Sequence, residues 1–255
     1  MMSLLQRIKN KIKLKSHAGS VYHCPFCGYN SRDLEVVGHD IPVLREKQVI
    51  GGGRRAAGCY QCHSRDRERL LYAFFIEELK LPENKKISIL HIAPEPKLSK
   101  VLLANNFKEY ICGDLFTEGY DYPEYVQNMN VMDIPFQDHH FDYAICNHVL
   151  EHIPEDTKAM KELYRILKPG GKAVLQVPIS KNNQKTHEDF TIADQNKREE
   201  LFGQFDHVRI YGQDYIERLK SVGFTVHRVN ISEKYKTFGL NPEEDIFFCE
   251  KPVSQ

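Results

Sequence analysis

The sequence has no excess of charge of either sign: 35 basic and 35 acidic residues among 255 give a formal net charge of zero. A polyanion-binding surface spread over the whole molecule is therefore excluded, and any basic face has to be local. Nor does the chain contain an apolar run long enough for a transmembrane span or a signal peptide, so a cytoplasmic protein is expected. Internal repeats are missing, as is low complexity beyond one basic stretch. That stretch, MMSLLQRIKNKIKLKSHAGS, has no acidic residue but carries Arg7, Lys9, Lys11, Lys13 and Lys15. Residues 1–19 read as a solvated, partly disordered tail. Leu4, Leu5, Ile8 and Ile12 are spaced for one helix face, so the other reading is contact of residues 1–15 with an anionic membrane surface or RNA.

Seven cysteines in a reducing compartment argue against a disulfide framework and shift attention to spacing. Cys24-Pro-Phe-Cys27 and Cys59-Tyr-Gln-Cys62 are two Cys-x-x-Cys knuckles. Each places two thiolates within reach of one ion, and the pair supplies the four ligands of a closed, structural zinc site. Cys112, Cys146 and Cys249 lie in apolar strand-like segments, where cysteine serves as a small core side chain. Residues 20–64 read as a zinc-ribbon-like module with a mobile Gly51-Gly52-Gly53 loop. In Ser64–Lys80, Leu70, Leu71, Phe74, Phe75 and Leu79 recur at helical spacing. Residues 65–255 then alternate strands (near 87–92, 109–113, 129–132, 141–146 and 172–178) with helices (97–105, 155–168 and 212–222). GFTVHRV and DIFFCEK close the pattern as strands. Strands joined by helical crossovers predict an α/β, doubly wound, mainly parallel sheet.

Ligands of such sheets bind beyond the carboxyl ends of the strands. After the first predicted strand comes Ala93-Pro94-Glu95-Pro96, a loop without glycine. Prolines give no N–H to a pyrophosphate, and Glu95 would repel it, which excludes NAD, FAD and nucleoside triphosphates. A ligand with a cationic end and a diol fits better. Glu95 suits an ammonium, Asp114 after the second strand suits a ribose, and Asp133 after the third suits an adenine amino group. S-adenosylmethionine has all three. Asn147 and His148 follow the fourth strand.

DIPFQDHHFDYAICNHVLEHI followed by AMKELYRILKPGGKAVLQVP resembles the class I S-adenosylmethionine-dependent methyltransferases, most closely the type 11 group, over about Ile87–Val229. A bacterial subgroup with an N-terminal four-cysteine zinc ribbon and a HIAPEP loop is similar. The resemblance implies a seven-stranded sheet with its last strand antiparallel. It also implies that Asp114 holds the ribose and Asp133 the adenine of S-adenosylmethionine; Ala93, Glu95, Ile134 and Asn147 are the other expected cofactor contacts. The first loop departs from the usual Gly-x-Gly.

The tract His148-Val-Leu-Glu151-His152 spells a zinc-peptidase pattern, but it starts where a strand has just ended, and His152 reads as a packing residue. The polar insert 180–212 occupies the acceptor side in this family and is expected to form a lid. In it Asp206–Tyr211 alternates so as to present His207, Arg209 and Tyr211 together. His207 is the expected general base, with His148 as the other candidate; Arg209 and Tyr211 are expected to bind an anionic acceptor group. The sequence thus reads as a methyltransferase acting at oxygen on a small molecule or glycan. An RNA methyltransferase, or a zinc-dependent binding protein that has lost activity, is the alternative.

Overall fold

The computed structural model describes residues 3–253; Met1, Met2, Ser254 and Gln255, and the side chain of Leu4 in the expected apolar face, lie outside the described residues. The chain divides into two compact units. One comprises Met1–His39, Arg54–Lys80 and Asn230–Glu244, and the other Asp40–Gly53, Leu81–Val229 and Asp245–Gln255. The division does not fall at the sequence boundaries 20–64 and 65–255, because pairings between distant segments decide it. Val49–Ile50, between the knuckles in sequence, pairs antiparallel with Ile179–Ser180, so the glycine run follows an anchored strand.

The larger unit is built on seven strands: β1 (Ser88–Ile92), β2 (Glu109–Asp114), β3 (Val126–Asn128), β4 (Phe141–Asn147), β5 (Leu167–Gln176), β6 (Thr225–Val229) and β7 (Ile246–Glu250). Their order is β6-β7-β5-β4-β1-β2-β3, and only β7 runs against the others. All five residues of β1 are buried, the near-continuous burial expected of a central parallel strand. Crossover helices α1 (Pro96–Leu103), α2 (Asp156–Ile166) and α3 (Tyr215–Ser221) accompany the sheet. Helix α2 buries Ala159, Met160, Leu163 and Ile166 along one face, in the same core as Leu90, Ala144 and Leu175.

The third strand lies at 126–128, not 129–132. Met129 and Val131 are both buried, but Met129 N–H only continues the pairing with β2 through Asp114 O (2.8 Å), and Val131 lies in a turn closed by Asp133 N–H to Asn130 O (3.0 Å). Burial periodicity alone could not separate that turn from a strand.

The chain leaves β1 toward β2 and leaves β4 toward β5, so the adjacent ends of β1 and β4 form the point where strand order reverses. The residue after each end is left-handed: Ala93 at φ 47° and His148 at φ 53°. Such backbone costs a non-glycine residue about 1–3 kcal/mol and gathers at functional sites. Ala93→Gly should relieve roughly 1–2 kcal/mol of that strain against about 0.5–1 kcal/mol of added chain entropy. A rise in the urea midpoint is the expected result, and a fall would show that the Ala93 methyl contributes packing worth more than the strain.

In the smaller unit, Ser3 and Gln6 form a capping box that starts the helix Leu4–His17, so the basic segment is ordered where a disordered tail was expected. Leu5, Ile8 and Ile12 remain exposed on it. Short ribbons pair Ala18–His23 with Asn30–Ser31 and Glu35–Val37 with Arg55–Gly58. Helix Asp66–Tyr72 runs on through a wider i→i+5 stretch, Ala73–Glu78, and buries Leu70, Leu71, Phe74 and Phe75. Among the described residues no helix is long and apolar enough to cross a membrane.

Candidate functional site

The two knuckles fold alike. Cys24 O accepts from Gly28 N–H and Cys59 O from His63 N–H, while Cys24 N–H and Cys59 N–H donate to Tyr29 O and Ser64 O. The four sulfurs lie within 4.8 Å of one another, and Cys24–Cys62 and Cys27–Cys59 are each 3.6 Å apart. A tetrahedron with Zn–S of about 2.3 Å has edges of roughly 3.8 Å, so the residues fit the ion. All four are free thiols, and burial pushes Cys27 up to about 12. Beside them the Arg69 guanidinium is 1% exposed and donates only to neutral oxygens: Ser64 O and Oγ, Ala57 O, Phe238 O and Gly239 O. Four thiolates around a divalent ion carry a net charge of −2, which this buried cation would offset.

At the strand-order reversal, Glu95 is the N-cap residue of α1 and Pro96 its first residue, where a missing N–H costs nothing. The Glu95 carboxylate accepts from His91 Nε2 (2.8 Å) and Asn147 Nδ2 (3.3 Å). His91 is fully buried in β1, and its Nδ1 accepts from Tyr110 OH at 2.8 Å. Sequence reasoning missed His91 and Tyr110; the only signal was a histidine inside the apolar run of β1. Asn147 Oδ1 is buried with no hydrogen-bond partner, an open acceptor beside Glu95. Asp114 ends β2 half-buried, and burial raises its pKa against the Leu115 N–H, which lowers it. Asp133 is exposed. Ile134, expected to touch cofactor, is corrected to a framework residue. Its N–H donates to Glu162 Oε2 (2.9 Å), its carbonyl accepts from Arg165, and its side chain is core.

Beyond β4, His148 precedes a short turn, Leu150–His152. His148 Nδ1 lies 3.5 Å from Glu151 Oε1. Burial opposes ionisation of Glu151, yet the His148 hydrogen bond and the nearby His152 and His207 hold it down to about 2. His207 is buried, its pKa lowered by desolvation, and its ring packs edge-on to His152 at 4.6 Å.

Arg209 and Tyr211, expected to bind the acceptor, are buried and bonded within the protein. Arg209 is 1% exposed and donates to Glu188 Oε2 (2.9 Å), Leu150 O (2.7 Å), Ile153 O (2.5 Å) and Pro154 O (2.8 Å). Tyr211 is fully buried, with its hydroxyl on Asp156 Oδ2 at 2.7 Å. The expected alternation of 206–211 does not separate two faces: residues 207–211 are all buried, and Arg209 and Tyr211 clamp the turn after β4. Within the larger unit, a cleft of about 800 Å³ is lined by Pro42, Glu46, Lys47, Asn182, Lys185 and His187 among others, amide and mixed-charge surface from the insert and the helix Pro42–Glu46.

The strand order with its single reversed strand defines a Rossmann-like methyltransferase fold. Residues 93–175, about a third of the chain, match the family described as a methyltransferase domain. It is 47% identical over 45 residues to a demethylmenaquinone methyltransferase of a Geobacillus species, and 49% identical over 45 residues to that of Staphylococcus carnosus. Each match covers 18% of this chain and 19% of the relative, so the chain spans about a fifth of the length of the curated relatives it matches. Among solved structures it is similar to an S-adenosylmethionine-dependent methyltransferase from Mesorhizobium loti, with TM-score 0.48, 11% identity, and 70% of this chain and 97% of that one covered. The 1,6-didemethyltoxoflavin-N1-methyltransferase of Burkholderia thailandensis gives TM-score 0.48 and 16% identity over 72% of this chain and 78% of that one.

Proposed function

We propose that the chain is an S-adenosylmethionine-dependent methyltransferase acting at oxygen on a small-molecule or glycan acceptor, with a structural zinc on Cys24, Cys27, Cys59 and Cys62. The observation that carries the reading is Asp114, a half-buried carboxylate closing β2, one strand over from Glu95 and two from the Asn147 Oδ1 that has no partner. Bound there, the cofactor would supply the electrophilic methyl group. Asp114 would hold the ribose diol, Glu95 and Asn147 the methionine end, and Asp133 the adenine amino group. His148 is assigned the base, since the Glu151 carboxylate at Nδ1 orients its ring; His207 packs instead against His152. The cleft offers amides and both signs of charge, which supports a small polar acceptor over a polyanion.

S-adenosylhomocysteine at a hundredfold excess over its dissociation constant should stabilise the protein by ~2.7 kcal/mol. Asp114→Asn separates binding from damage. Its folded pKa is raised by burial, so the carboxylate lowers stability once pH rises through the window above its unfolded value of about 3.9. The variant should therefore melt above wild type without ligand at pH 7, a difference that vanishes in acid, and gain little from ligand. An undiminished gain from ligand would remove Asp114 from the site. No gain in wild type would favour the binding-protein alternative.

A further inference from the structure

A second group of metal-ligating side chains stands in the larger unit: Glu151, His152 and His207 each bring one ligand atom into a set within 4.8 Å. Glu151 is 1% exposed, and its Oε2 is buried with no hydrogen-bond partner. Among the described residues it has no lysine or arginine ion pair, only His148 at 3.5 Å from the other oxygen. A buried carboxylate oxygen left bare is costly, and proteins answer such charge with a paired group or a metal.

The two imidazoles are prepared in the same way. His152 Nδ1 lies 3.2 Å from Asp206 Oδ2, and His207 Nδ1 lies 3.3 Å from Phe202 O. A carboxylate or carbonyl that takes the Nδ1 proton fixes the tautomer and leaves the Nε2 lone pair for an ion, the arrangement found behind most metal-bound histidines. Backbone structure brings the three together: Glu151 and His152 share the turn Leu150–His152, and Val208 N–H donates to Glu151 O at 3.0 Å, seating His207 beside them.

We propose that Glu151, His152 and His207 form a second metal site, for a divalent transition ion that prefers imidazole and carboxylate, such as zinc or cobalt. Two nitrogens to one oxygen disfavours calcium and magnesium, which take oxygen cages. Three protein ligands leave one coordination position open.

The test counts metal in full-length protein saturated with cobalt(II) and freed of excess, reading zinc plus cobalt per chain with the visible spectrum. Wild type should hold two ions, one of them without thiolate-to-cobalt charge transfer. His207→Ala should hold one. Glu151→Gln, isosteric and so indifferent to any packing loss in the alanine variant, should weaken the second ion by more than the roughly 10–100-fold that losing an outer partner costs. A single ion in wild type with thiolate charge transfer would overturn the proposal, as would two ions retained by both variants. A single cobalt ion without that band would leave this site standing and remove the cysteine one, whereas a single zinc, which has no visible band, would overturn the proposal.

Discussion

Protein purified without chelator should retain a thiolate-held zinc, and Cys24→Ser with Cys59→Ser should abolish it together with the fold of the smaller unit. The ribbons beside the knuckles are short, two to six residues per strand. Metal therefore has to supply what burial does not. Structural zinc contributes an apparent ~10–16 kcal/mol in finger peptides, on the scale of the whole ~5–15 kcal/mol net stability of a typical protein. Hydrogen exchange at Gly28 and His63, whose amides close the knuckles, reports the loss locally. Unchanged protection there in a zinc-free variant would show that the ribbons stand without metal.

The second large effect is expected at Arg209. If it bound the acceptor, Arg209→Met would raise KM and leave melting alone. Its guanidinium instead serves three carbonyls of the turn after β4, together with Glu188. Removing one partner of a buried charged network costs about 3–5 kcal/mol, because the groups left behind stay desolvated. In a protein of this size that is roughly 6–20 °C of melting temperature. Arg209→Lys should recover little, since an ammonium cannot reach three carbonyls with the planar fork. An unaltered melting curve for Arg209→Met would return the residue to acceptor binding.

The contrast between Arg209 and Glu95 shows what was legible. The crossover pattern, the knuckles and the acids at the ends of the first two strands could be read because each depends on local spacing: Cys-x-x-Cys, alternation, a carboxylate just past an apolar run. The glycine-free loop also made sense locally, since Pro96 is a helix's first residue. Arg209 could not be read this way. Alternation says that His207, Arg209 and Tyr211 share a side, but which way the side faces is settled by Leu150, Ile153 and Asp156, more than fifty residues earlier. His91 was hidden for a similar reason: its partner Tyr110 is on the next strand. The unit boundaries were missed because Ile50 pairs with Ile179 and Arg69 with Gly239, contacts that composition cannot carry.

Arg69 also orders events during synthesis. Cys62 completes the thiolate set early in translation, but Phe238 and Gly239, whose carbonyls take two of the guanidinium's bonds, lie 169 and 170 residues downstream of Arg69. At ~5–20 residues per second the ribosome needs about 10–30 s to make them. For that interval the four sulfurs have emerged while the shell around Arg69 is unfinished, so an ion captured by the nascent chain waits there for the turn Lys236–Phe238 and Gly239 to be made.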